Sequence, residues 1–183
     1  MVCIRRVISW GTGNKITVLM KGAIFMRNLE ITDARIMFRN FSGEERTYNA
    51  KGDRNFCVII DADNAERLSE DGWNIKWTKP REEGDEPLAY LPVKVNYANR
   101  PPEIWKKTEN GKPVLLDEIT VGSLDDAEII KVNKLVISPY AWNVSGKSGI
   151  KAYLRSGYFT VEDDAVLDDF FGRVEADDTE ESF

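Results

Sequence analysis

Residues 129–161, IIKVNKLVISPYAWNVSGKSGIKAYLRSGYFTV, read as two long strands on either side of a turn rich in small and polar residues at 143–149. A hairpin of that length points to a mainly β fold. The stretch holds five bases, Lys131, Lys134, Lys147, Lys151 and Arg155, and no acid, although the whole chain carries a net charge of −6. Interleaved with them are Tyr140, Trp142, Tyr153, Tyr158 and Phe159. Residues two apart in a strand share a face. Lys151, Tyr153, Arg155 and Phe159 are therefore expected on one face, and Ile150, Ala152, Leu154 and Tyr158 on the other. A ring set between cations can stack a base while its neighbours neutralise the phosphates of a single strand. The same residues would also make an ordinary hairpin with a solvated basic face, and this stretch alone does not choose between the two. A register slip of one residue would exchange the faces.

The charge is unevenly spread. Residues 162–183 hold ten acids against one base, a local charge of −9, which leaves residues 1–161 with 24 bases, 21 acids and a balance of +3. Such asymmetry suggests a mildly basic body with an acidic interaction tail. Residues 175–183, EADDTEESF, are too acidic and too poor in apolar groups to fold. A length of 183 residues suits one domain with a real core. The chain has no histidine, which removes the commonest general base and metal ligand. Cys3 and Cys57 form no zinc or disulfide pattern. The pairs Asp61/Asp63, Asp125/Asp126 and Asp163/Asp164 lack a readable third metal ligand and fit helix caps and solvated loops better. Gly146-Lys147-Ser148 lacks the upstream glycine pattern and the following helix of a phosphate loop. No catalytic set, cofactor or metal site is expected. No apolar run approaches the roughly 18 residues of a membrane span, and residues 10–15 interrupt any signal-peptide core. A soluble, cytoplasmic protein with no membrane partner is the expectation.

Residues 1–25 show no clear periodicity and read as a poorly ordered leader, with Met20 and Met26 as alternative starts. Residues 26–172 then form the expected domain, and 173–183 the flexible tail. In residues 28–41, Leu29 and Ile31 alternate inward, and Ala34, Ile36 and Phe38 follow after a one-residue offset near Thr32-Asp33. That offset marks a β-bulge, the device by which a long first strand turns the corner of a small closed barrel. Arg35, Met37, Arg39 and Phe41 then share the opposite face as a second basic and apolar stripe. Residues 55–61 read as a buried central strand. Residues 64–70 read as a short helix capped by Asp61 or Asp63 and ended by Gly72. Trp73, Ile75 and Trp77 alternate as a strand, and residues 88–97 form another in which Pro92 implies an edge or a break. Residues 103–107 and 114–116 pair as a hairpin, and 163–171 can form a short amphipathic helix.

Several strands, a bulged first strand and a helix between early and late strands suggest a five-stranded barrel of the OB type with extended loops. Its exposed faces mix aromatics with Lys and Arg, and its acidic tail reads DDTEESF. With these features the chain resembles the single-stranded DNA-binding proteins of phages and bacteria. Residues 138–162, SPYAWNVSGKSGIKAYLRSGYFTVE, are most similar to the phage-type members. The chain departs from the bacterial members in lacking a proline before Phe183 and in longer loops between residues 80 and 126. The resemblance implies non-catalytic binding and protection of single-stranded DNA during replication or recombination, in the host cytoplasm if the protein is phage-encoded. On that basis the DNA-binding residues would be Arg35, Arg39, Phe41, Lys131, Lys134, Tyr140, Trp142, Lys147, Lys151, Tyr153, Arg155 and Phe159. Asp177, Asp178, Glu180, Glu181 and Phe183 would bind replication proteins such as a DNA polymerase. A homodimer stays open. The competing expectations are a structural or assembly β-protein with a solubilising tail, and a carboxylate-based nuclease.

Overall fold

The computed structural model describes residues 6–8, 15–18, 27–80 and 86–162. The expected helix at 163–171 and the tail residues Asp177, Asp178, Glu180, Glu181 and Phe183 lie outside them. Ten strands and two helices follow in order: β1 Arg6–Ile8, β2 Lys15–Val18, β3 Leu29–Asn40, β4 Arg54–Ile60, α1 Ala62–Glu70, β5 Lys76–Trp77, β6 Ala89–Val95, β7 Glu103–Thr108, β8 Val114–Leu116, α2 Ser123–Asp126, β9 Ile129–Val144 and β10 Lys147–Val161. Five of the strands close on themselves. β3 pairs with β4, β4 with β6, β6 in parallel with β10, β10 with β9, and β9 with β3. This circuit is the OB-type barrel that the sequence suggested. β1 and β2, from the stretch without periodicity, pair with each other and extend the sheet beyond β3.

The barrel closes because its long strands bend. Asp33 adopts a left-handed backbone (φ 53), at the offset expected from the sequence, and the buried set steps from Ile31 to Ala34 there. A second bulge was not expected. Phe38 is also left-handed (φ 53), and β3 advances from Met37 to Asn40 while β4 moves only from Cys57 to Asn55. β10 has a bulge of its own. Leu154 faces Ile137, yet Ser156 faces Val136, so Arg155 is the extra residue. Before Arg155 the even-numbered residues Ile150, Ala152 and Leu154 are buried; after it Phe159 and Val161 are.

Inside the barrel Phe41 stacks on Phe56 at 5.1 Å between centroids and meets the edge of Phe159 at 5.8 Å. Ile31, Val58, Leu91, Val93, Leu135 and Ile137 surround them without exposure. One end is closed by Val121 and Leu124. Asp125 accepts hydrogen bonds from the backbone N–H groups of Phe41 and Ser42, both at 2.8 Å, and so ties α2 to the end of β3. Asn40, fully buried, donates to the carbonyls of Glu44 and Asp53 at 3.0 and 3.1 Å and thereby holds the β3–β4 loop.

α1 is capped by Asp61, whose carboxylate accepts from the Asn64 backbone at 3.0 Å. Beyond it Trp73 is buried and bridges to Ile150, while Trp77 is half exposed, so the alternating trio runs from the core out to the surface. Pro92 does not mark an edge strand. β6 is central, but along one side β5 pairs at Ala89 and Tyr90 and β10 at Val93 and Lys94, and Pro92 sits in the gap where no donor is required.

Candidate nucleic-acid interface

The expected turn at 143–149 contracts to two residues. Ser145 (φ 51) and Gly146 (φ 79) are both left-handed, as a tight hairpin matched to strand twist requires, and the strands run up to them on either side. The outer face of this hairpin carries Tyr140, 57% exposed, edge-on to half-buried Tyr153 at 5.9 Å. Lys151 lies directly across from Tyr140, and Trp142 lies across from Gly149. A Cβ at Gly149 would come within 3.2 Å of the indole, so the Trp142 ring rests against the glycine backbone. Lys147 at the tip, Lys151, and Arg155 in the bulge are exposed and form no ion pair among the described residues.

This face continues around the barrel. Tyr153 is the partner of Lys94 across the parallel β10–β6 pair. Further along β6, Tyr90 lies beside Ile59 of β4 and Lys76 of β5, and Ile59 lies beside Arg35 of β3. Phe38, 60% exposed, meets Tyr90 edge-on at 6.2 Å. On the β6 face Lys94, paired with Asp53 at 3.6 Å, and Pro92 lie between the Tyr140/Tyr153 and Phe38/Tyr90 pairs, which Arg35, Lys76, Lys151 and Arg155 flank. Desolvation, with the neighbouring Cys57 second, raises the Tyr90 pKa, so its ring is a neutral phenol at physiological pH. Burial pushes the Cys57 thiol up to about 11, against the lowering pull of Lys76, which leaves it an unreactive thiol beneath this face. Among the described residues no three Cys, Asp or Glu side chains gather in a metal-binding group.

Several expected positions are corrected. Phe41 and Phe159 are core residues with 0% and 1% exposure, out of reach of a base. The bulge at Phe38 exchanges Phe38 with Phe41, and the bulge at Arg155 exchanges Tyr158 with Phe159. Arg39 does not project as a free cation. Its guanidinium donates to the carbonyls of Leu124 and Ala127 at 2.9 and 2.8 Å, binding the end of α2 to β3. Lys131 and Lys134 are on the surface but paired across β3–β9, with Asp33 at 2.8 Å and Glu30 at 3.1 Å. Exposed pairs of this kind contribute about 0–1 kcal/mol, so a phosphate can displace the carboxylate. Arg35, Arg39 and Lys131 line one open groove of about 510 Å³ together with Asp33 and Ile130. Phe38, Tyr90, Lys76 and Lys94 were missed. The signal for two of them was present: in β6 the alternation sets Tyr90, Pro92 and Lys94 opposite the buried Ala89, Leu91, Val93 and Val95.

A closed OB-type barrel with rings and cations on its outer face defines a class of oligonucleotide-binding architecture. Within that class the chain belongs to the putative phage ssDNA-binding domain family, whose model matches residues 20–180. The fold is similar to that of the single-stranded DNA-binding protein from bacteriophage Enc34, solved in complex with ssDNA, with a TM-score of 0.51 and 9% identity over 87% of this chain and 97% of that one. A C-terminal truncation of the Enc34 protein gives a TM-score of 0.48 at 10% identity, over 90% of this chain and 98% of that one. No curated protein sequence matches the chain. Among the described residues no helix is long and apolar enough to cross a membrane.

Proposed function

We propose that the protein binds single-stranded DNA without catalysis, coating and protecting it during phage replication or recombination in the host cytoplasm. The observation that carries this is the continuous outer face, in which Lys94 and Pro92 lie between the Tyr140/Tyr153 and Phe38/Tyr90 pairs. Rings stack bases of any sequence, and Arg35, Lys76, Lys147, Lys151 and Arg155 meet the phosphates between them. Family membership supports the same reading. A duplex keeps its bases stacked inside, so the rings act on single strands only. Labelled oligo-dT should therefore bind at least about tenfold more tightly than a duplex of equal length. Equal affinity for the two would sink the reading.

The acidic segment is proposed to act on the same face. Residues 162–183 carry −9 and can occupy the cationic face in competition with DNA, and displacement by DNA frees Asp177, Asp178, Glu180, Glu181 and Phe183 for a replication protein such as a DNA polymerase. Deleting residues 175–183 should tighten oligo-dT binding several-fold at low salt, with the gain fading as salt screens the charges. Titrations of the two forms at low and moderate salt check it; identical curves at low salt would rule the competition out.

A further inference from the structure

The second half of β10 turns one edge away from β6 and pairs in parallel with β7, which in turn pairs with β8. This register sets Leu115, Trp105, Tyr158 and Lys134 side by side across β8, β7, β10 and β9. The Trp105 and Tyr158 rings lie within 5° of parallel, with centroids 6.5 Å apart. They stand in an open groove of about 610 Å³, which Lys107, Pro113, Asn133 and Lys134 also line. Lys107 lies two residues beyond Trp105 on the same strand face, and it forms no ion pair among the described residues. Among the described residues no acidic side chain lines the groove. Tyr158 is 40% exposed even with Trp105 beside it.

We propose that this groove is a second single-stranded nucleic-acid subsite on the β7–β8 arm, in which Trp105 and Tyr158 stack bases and Lys107 and Lys134 hold the flanking phosphates. The proposal rests on nucleic-acid binding by the barrel face. Charge favours the occupant: among the described residues the groove is lined by lysines and by no carboxylate, which suits a polyanion with flat faces. Glu103 lies at the outer end of the Trp105 face, and Glu30 is held by Lys134. Lys134 leaves its exposed pair with Glu30 at little cost. Along β10, Tyr158 lies five residues beyond Tyr153, roughly 16 Å. A strand that fills the barrel face can therefore continue into the groove only if it is long enough.

The test uses the full chain, Tyr158→Ala, Lys107→Gln and oligo-dT of two lengths, about 6 and about 20 nucleotides, which bracket usual OB-fold site sizes. Tyr158→Ala should weaken the long oligonucleotide about tenfold and leave the short one within about twofold. Lys107→Gln, which removes no buried ring, should flatten the slope of log affinity against log salt for the long oligonucleotide by about 0.7. Wild-type binding of both lengths with neither variant differing from it would overturn the subsite while leaving the barrel face intact. Wild-type failure to bind either oligonucleotide would overturn the barrel-face reading and the subsite with it. If Tyr158→Ala instead converts a dimer to monomers in light scattering, with DNA affinity unchanged, the groove belongs to a second copy and the proposal falls.

Discussion

Replacing Tyr140 and Tyr153 together by alanine is expected to weaken oligo-dT binding by about a hundredfold while leaving thermal stability nearly unchanged. Stacking a base on an aromatic ring contributes about 1–3 kcal/mol by alanine substitution, and each 1.4 kcal/mol is tenfold in affinity. Both rings stand on the outer face of the β9–β10 hairpin, Tyr140 57% exposed, so their removal opens no cavity in the core. They touch at 5.9 Å between centroids, so single substitutions should couple and their effects should not add. Lys147, Lys151 and Arg155 remain in the double variant, and binding should stay sensitive to salt although weaker. Fluorescence anisotropy with a labelled oligonucleotide measures the loss. A change under about threefold would show that DNA runs elsewhere on the barrel.

Phe41→Ala should cost about 3–5 kcal/mol of folding stability, and Phe38→Ala little. Phe41 is fully buried between Phe56 and Phe159. A chain of this size loses about 2–4 °C in Tm per kcal/mol, so calorimetry should show a fall of about 6–20 °C. Phe38 is 60% exposed against Tyr90, and its replacement should weaken oligo-dT binding about tenfold at nearly constant Tm. The opposite pattern, with Phe38 sustaining stability and Phe41 binding, is what the Asp33 offset followed by unbroken alternation predicts. The pair of variants therefore tests the bulge at Phe38 directly.

That comparison shows where the sequence stops being legible. The barrel could be read because its signals are local and periodic: the offset at Asp33, the apolar run of β4 and the long alternation of β9 and β10. The bulges at Phe38 and Arg155 could not. Each inserts one residue for reasons of barrel curvature and cross-strand pairing, which depend on partners distant in the chain, and each inverts the facing of everything after it. Lys151 and Tyr153 precede the Arg155 bulge, and they share the expected face, opposite the buried Ile150, Ala152 and Leu154. Phe41 and Phe159 follow a bulge and are inverted. Arg39 was misplaced for a different reason. Its partners are the carbonyls of Leu124 and Ala127, more than 80 residues away, and a backbone acceptor leaves no mark in a sequence. Lys131 and Lys134 likewise meet acids on β3 whose register only the closed barrel fixes.

The central claim, that rings and cations of one outer face hold a single strand, is tested most directly by following intrinsic tryptophan fluorescence during titration with oligo-dT at several salt concentrations. The account predicts saturable quenching, reversed by salt, with log affinity falling linearly against log salt by about 0.7 for each phosphate held. A flat titration at low salt, in protein lacking residues 175–183 so that no competing acids remain, would contradict it.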